Sequence, residues 1–187
     1  MLIDLTLNIT PFLINQFQSS TFGPMAGHLG THLDVMDQVF PLPYMRRRGV
    51  VFDVRHVKQR DIDISDIDLS QVHGEMFAAF YSGFLEREGY GSAGYFTNHP
   101  QLSNSLIDVL LRKQVSIIGL DFAGIRRGDA HFDANARCAR LDTFVVENLC
   151  NLDALLQGEK DVLFSAHTYP MHFSGLTGLP CRVVGEI

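Results

Sequence analysis

The strongest constraint on the fold is a recurrence of short apolar or alternating runs, each of strand length, along the chain. They are rich in Val, Ile and Phe, residues that favour β-strands. Segments rich in Gly, Pro, Asn and Ser separate the runs and indicate turns. The runs cover residues 2–7, 50–54, 76–81, 115–120, 143–146, 162–164 and 182–184. A substantial β-sheet is therefore predicted.

Helical patterns are fewer than strand patterns. Leu, Ile and Val residues recur at helical spacing over 101–113, which predicts an amphipathic helix with Pro100 in its first turn. A second, weaker helix is predicted over 132–141. Many strands with few helices indicate an α/β fold. At 187 residues the chain suits one domain, and no repeat or linker divides it. We expect a single α/β domain over residues 1–187 with a mixed central sheet.

The charge balance bears on which partners the chain binds. Lys and Arg number 15 against 21 for Asp and Glu, so the formal charge is -6. A net negative charge opposes binding to the phosphate backbone of nucleic acids. The one strong basic run, Arg46–Arg47–Arg48, is interpreted as a solvated loop, with an anion-facing or subunit-contacting patch as the alternative. A nucleic-acid partner is not expected.

Cysteine usage and hydropathy indicate the compartment. Cys138, Cys150 and Cys181 form an odd number without a C-x-x-C pair, which favours reduced thiols. The longest apolar stretches are too short to cross a bilayer. The first basic residue is Arg46, and Asp4 interrupts the first apolar stretch, unlike a secretory signal. A cytoplasmic protein without a membrane partner is expected.

The segment from Gly27 to Asp34 carries the strongest chemical signal. His28, His32 and Asp34 supply nitrogen and oxygen ligands of the kind that Zn²⁺ or Mn²⁺ binds, with coordination positions left for water. Their spacing places them on one side of an extended segment. A flat strand would hold the two histidine backbones about 13 Å apart. We therefore expect a bend, which Gly27 and Gly30 permit. The alternative is that these histidines are structural.

The same segment, HLGTHLDVMDQ, resembles the HxGTHxDxPxHF signature of the metal-dependent cyclase family, which includes bacterial kynurenine formamidases and isatin hydrolases. Further similarities follow in order along nearly the whole chain. They are DLT at 4–6, SGF at 82–84, YFTNHPQLS at 95–103, GLD at 119–121, VENLCNL at 146–152 and GLTGLPCR at 175–182. The resemblance implies a swivelling β/β/α fold and a homodimer or larger assembly.

The resemblance also implies roles for particular residues. His28, His32 and Asp34 correspond to the ligands of a first divalent metal, Zn²⁺ or Mn²⁺. Glu147 corresponds to the glutamate that holds a second metal together with a histidine about twelve residues earlier in the chain.

The chain departs from the family pattern at the other functional positions. Met36 stands at the proline position, and Gln38 stands at the position of the catalytic histidine. Because an amide does not titrate near neutral pH, Gln38 cannot act as a general base, although it can orient a water molecule. Asn135 stands at the second-site histidine, which makes a second metal doubtful. His131, one helical turn before Asn135, is a candidate to compensate.

These observations lead to one functional hypothesis and two alternatives. The first is a metal-dependent hydrolase that holds one divalent ion at His28, His32 and Asp34. Its substrate is a small amide or cyclic amide, for example an aromatic one. Glu147 is then the best remaining acid or base, and Gln38 positions the water or the carbonyl oxygen. One alternative is a homologue with a degenerate site that acts as a binding or regulatory protein. Another is a site rebuilt for a different reaction with His131 or His99.

Overall fold

The fold was analysed in a computed structural model, which describes residues 1–7 and 27–187. Within these ranges, eight strands form one sheet. The strands are β1 (Leu2–Asp4), β2 (His32–Asp34), β3 (Arg46–Asp53), β4 (Phe77–Tyr81), β5 (Ile117–Leu120), β6 (Phe144–Glu147), β7 (Asp161–Pro170) and β8 (Gly178–Glu186). The helices are α1 (Phe84–Glu88), α2 (Ala93–Thr97), α3 (Asn104–Arg112), α4 (Ala130–Arg140) and α5 (Leu152–Leu156). Short 3-10 turns cover Leu42–Met45, Ile64–Asp66 and Leu69–Gln71.

The sheet curves into a barrel-like ring. Its order is β1-β8-β2-β6-β5-β4-β3-β7, and an additional pairing between β7 and β8 closes every strand except β1 into the ring. Strands β3, β4, β5 and β6 are parallel neighbours, whereas β2, β7 and β8 pair antiparallel. The predicted α/β fold with a mixed sheet is thus confirmed.

Alternating residues of the central strands divide between two hydrophobic clusters. On β4, Ala78 and Phe80 belong to the cluster that α3 and α4 cover, and Phe77 and Ala79 belong to the other. Because both faces of β4 are buried, all of its residues are apolar, as is usual for parallel strands. On β2, Leu33 points to the second cluster, so its neighbours His32 and Asp34 point to the side that α4 covers.

Several predicted boundaries were wrong. Residues 101–103 precede helix α3, because Leu102 pairs with Ile62 and the Ser103 side chain caps the helix by accepting from Leu106 N. Pro100 therefore lies before the helix. The predicted strand 162–164 extends over the whole of β7, and 182–184 over the whole of β8. The second helix was predicted correctly but begins at Ala130.

The basic run is not a solvated loop. Arg46, Arg47 and Arg48 begin β3 and pair with β7, with Arg46 opposite His167. The Arg47 guanidinium lies over the Tyr44 ring, 4.4 Å from its centroid, and its Nε donates to Ser116 Oγ.

The three cysteines are free, as predicted. Within the described part of the chain, none of the helices has the length and apolar character needed to span a membrane.

Candidate metal centre

Two imidazoles and one carboxylate converge at β2. His28 lies in the turn before the strand, and its Nε2 lies 3.3 Å from Asp34 Oδ1. His32 Nε2 lies 3.5 Å from the same oxygen. Ligands on a common tetrahedral zinc ion, each about 2.0–2.1 Å from it, are about 3.3–3.4 Å apart. His32 and Asp34 are buried, whereas the side chain of His28 is 29 % exposed. The three groups therefore have the spacing that one divalent cation requires, with an approach from solvent beside His28.

The predicted bend before β2 is confirmed. Gly30 has a φ of 70°, a left-handed conformation that favours glycine. Gly27 serves a different purpose, since a Cβ atom there would lie 2.1 Å from Gly178 O. Gly178 in turn makes room for His28, because a Cβ atom at 178 would lie 2.6 Å from the imidazole. The glycines thus let the turn fold against the start of β8 and bring His28 to Asp34.

A second group of potential ligands shares Asp34 with the first. Glu147 ends β6 directly opposite His32 in the antiparallel β2–β6 pair, so their side chains lie on the same face. Glu147 Oε2 lies 3.5 Å from His32 Nε2. From helix α4, His131 directs Nε2 to within 3.4 Å of Glu147 Oε1 and 4.0 Å of Asp34 Oδ2. Asp34, His131 and Glu147 can therefore hold a cation of their own.

Asn135 lies between the two carboxylates. Its Nδ2 donates to Asp34 Oδ2 at 2.5 Å. Asn135 Oδ1 and Glu147 Oε1 are both buried, and neither accepts a hydrogen bond from residues 1–7 or 27–187. A buried acceptor without a donor is costly by about 1–3 kcal/mol. These unpaired oxygens, beside a histidine and a shared carboxylate, show that the residues present fit a divalent cation.

Electrostatics support the same conclusion. Burial lowers the pKa of His32, but the hydrogen bond and charge of Asp34 outweigh this effect and raise it to about 9. Burial favours a higher pKa for Asp34, yet bonds to His28 and His32 hold that pKa well below its ordinary value. Burial, followed by the charge of Asp34, raises the pKa of Glu147 well above its ordinary value. Without a cation, Asp34 therefore carries the negative charge and Glu147 tends to keep its proton. A bound cation would stabilise the negative charge on both carboxylates.

One departure from the family pattern, Met36, has a local structural reason. Met36 has a φ of 57°, which proline cannot adopt because its ring fixes φ near −65°. The Met36 side chain packs against Ala136 and Ala139 of α4. Gln38 is half-buried, and its Nε2 donates to the Asp37 carboxylate at 2.9 Å. The role predicted for Gln38 stays a prediction.

His99, the other histidine considered for a rebuilt site, has a structural environment. Its ring stacks on Phe122 with centroids 5.9 Å apart, and its Nδ1 lies 2.6 Å from Pro100 O. Burial lowers the pKa of His99 to about 4, so the ring is neutral. His131 is the histidine that the fold brings to Asp34 and Glu147. Its spacing of four residues from Asn135 was the sequence signal that could identify it.

A family model and several solved structures are similar to this chain. The family model described as "Putative cyclase" matches residues 3–126. No curated protein sequence matches the chain significantly. Among solved structures, the chain is similar to a potential metal-dependent hydrolase with cyclase activity, with 19% identity, a TM-score of 0.76 and 99% of this chain and 96% of that chain covered.

Two further structures have the same fold. One is a predicted metal-dependent hydrolase from Bacillus stearothermophilus, with 19% identity, a TM-score of 0.74 and coverage of 99% and 97%. The other is isatin hydrolase A from Ralstonia solanacearum, with 17% identity, a TM-score of 0.75 and coverage of 99% and 91%. Because the family model matches well over half of the chain, this protein belongs to the cyclase family.

Proposed function

We propose that the protein is a divalent-metal-dependent hydrolase that cleaves the C–N bond of an amide or cyclic amide of a small substrate. The observation that carries this proposal is the convergence of donor atoms from three separate elements on the single carboxylate of Asp34. These donors come from the turn before β2, from β6 and from α4. Isatin hydrolase A, a cyclic-amide hydrolase by its name, has the same fold and suggests aromatic lactams as the first substrates to test.

The residues divide into binding and proton-handling groups. His28, His32 and Asp34 would hold Zn²⁺ or Mn²⁺, and Asp34, His131 and Glu147 offer a second position. Such an ion supplies Lewis acidity and lowers the pKa of water towards 7. Glu147, buried with Oε1 3.4 Å from His131 Nε2, is the group best placed to hold or release a proton during the reaction. The amide of Gln38 is proposed to orient the water or the carbonyl oxygen, since it cannot exchange a proton itself.

The assay that tests this proposal uses N-formyl aromatic amines and aromatic lactams, with and without Zn²⁺ or Mn²⁺. We expect hydrolysis that requires the metal and stops on chelation. The Gln38→His variant is expected to raise the rate on N-formyl amines by about 10²–10⁴, the usual contribution of a general base. Gln59→His, at an exposed position, serves as the control.

The same assay separates the hydrolase from the degenerate-site alternative. The observation behind that alternative is that the Gln38 amide donates a hydrogen bond to the Asp37 carboxylate and carries no titratable proton. If wild-type protein binds metal but hydrolyses none of these substrates, and Gln38→His becomes active, the protein has lost the chemistry and retains only binding. If neither form is active with metal bound, the proposed substrate class is wrong.

Metal binding should also stabilise the fold. At a free Zn²⁺ concentration about 100 times its dissociation constant, the free energy of unfolding is expected to rise by about 2.7 kcal/mol. For a chain of this size, that corresponds to an increase in Tm of roughly 5–10 °C. Thermal unfolding with Zn²⁺ and then with excess chelator measures it. An unchanged Tm, with His32→Ala behaving like wild type, would show that no metal binds at this centre.

The assembly and the location are proposed from the exposed apolar side chains and from the cysteines. We propose a homodimer or tetramer, since Tyr169, Met171 and Phe173 at the end of β7 and beyond are about half exposed and present a large apolar surface. A reducing, cytoplasmic location is proposed because all three cysteines are free.

A further inference from the structure

A hydrogen-bonded chain connects the metal ligand His32 to a tyrosine on helix α2. His32 Nδ1 lies 2.9 Å from Gly30 O, which accepts a hydrogen bond from it. The Nδ2 atom of Asn148 donates to the same carbonyl at 2.8 Å. Asn148 Oδ1 in turn accepts a hydrogen bond of 2.7 Å from the Tyr95 hydroxyl. The chain therefore runs from Tyr95 through Asn148 and Gly30 to the imidazole.

The direction of each bond in this chain is fixed. Gly30 O can only accept, so the Asn148 amide must present its NH₂ group to it and its oxygen to Tyr95. His32 must carry a proton on Nδ1 to donate to Gly30 O, so when the ring gives up its other proton to bind a metal, Nε2, the atom facing Asp34, provides the lone pair. The chain thus selects the tautomer of His32 that can act as a ligand.

Gly30 and Asn148, the two residues that link Tyr95 to His32, have unusual backbone conformations. Gly30 has a φ of 70° and Asn148 a φ of 60°, so both use left-handed backbone. Asn148 is 1 % exposed, and its own carbonyl accepts a hydrogen bond from Thr31 Oγ1. Tyr95 is fully buried, and burial raises the pKa of its phenol, which keeps the hydroxyl proton in place as a donor.

We propose that Tyr95 and Asn148 are positioning residues that hold the His32 imidazole with Nε2 directed at the metal. This proposal rests on the proposed function, because it assumes a divalent ion at His28, His32 and Asp34. It also gives a function to Tyr95 and Asn148, which lie in two of the segments that resemble the family, 95–103 and 146–152. Direct hydrogen-bond partners of metal-bound histidines typically contribute 10–100-fold to metal affinity. Because Tyr95 and Asn148 act through Gly30 O, the lower end of that range is expected for them.

The test compares Tyr95→Phe, which removes only the hydroxyl, with Tyr81→Phe, the same change at another buried tyrosine, on β4. Zn²⁺ dissociation constants are measured by competition with a chromogenic chelator on folded protein. We expect Tyr95→Phe to weaken Zn²⁺ binding about tenfold, and Tyr81→Phe to stay within about twofold of wild type. Equal affinity in both variants and wild type would overturn the proposal.

A measurement on wild type covers the case in which Tyr95→Phe does not fold. In the ¹⁵N-labelled Zn²⁺ form, correlation spectra of the His32 ring should show the metal on Nε2 and a slowly exchanging proton on Nδ1. Metal on Nδ1, or a rapidly exchanging Nδ1 proton, would contradict the positioning role. Failure of wild type to bind Zn²⁺ would instead count against the proposed function, so the two failures are distinguishable.

Discussion

Replacement of Asp34 by Asn is expected to abolish metal binding and hydrolysis together. Asp34 is the one residue shared by both ligand groups, with Oδ1 facing His28 and His32 and Oδ2 near His131. The amide keeps the shape but removes the negative charge and turns one ligand oxygen into a donor. Because loss of an outer-shell partner alone can weaken binding about 100-fold, loss of this shared ligand should weaken it by at least that factor.

The control for this prediction is Asp133→Asn, the same change at an exposed position of helix α4. Zinc content after dialysis and the rate of amide hydrolysis are measured on both variants. The control should keep the metal content and activity of wild type. A folded Asp34→Asn variant that binds zinc as tightly as wild type would show that this carboxylate is not a ligand.

Replacement of His131 by Ala is expected to remove the second cation position and leave the first. His131 lies in the first turn of α4, 35 % exposed, so Ala should preserve the helix. Titration with Zn²⁺ should then show one ion per chain, where wild type is expected to bind two at high concentration. Affinity for the second ion should fall by at least about 100-fold.

A second substitution makes this prediction sharper. Asn135 lies one helical turn after His131, on the same face of α4, and its side chain already contacts Asp34. Adding Asn135→His to His131→Ala should therefore restore the second ion. If the single variant still binds as wild type does, or if wild type itself binds only one ion at saturation, His131 is not a metal ligand.

The convergence of the first group of candidate ligands could be predicted because that group is local. His28, His32 and Asp34 lie within seven residues, and Gly30, between the two histidines, allows the bend to be predicted from the sequence. The α/β class was also predictable, since buried strands such as β4 are apolar throughout. These features depend on short-range patterns that one chain carries without its neighbours.

The features that the sequence did not predict depend on distant contacts. The length of β7 was underestimated because its residues alternate between buried and exposed positions and include Ser165, His167 and Tyr169. His131 was predictable only as a candidate, because its position beside Asp34 and Glu147 depends on how α4 packs across β6. The bond between Tyr95 and Asn148 joins residues 53 positions apart and becomes visible only when α2 and the end of β6 meet.

The most direct test of the central claim is anomalous diffraction at the zinc edge from crystals of wild-type protein prepared with Zn²⁺. The structure predicts a peak bounded by His28 Nε2, His32 Nε2 and an oxygen of Asp34, with a further position beside His131 and Glu147 when zinc is abundant. An absence of any peak at His28, His32 and Asp34 under saturating zinc, in crystals of the folded protein, would contradict the account.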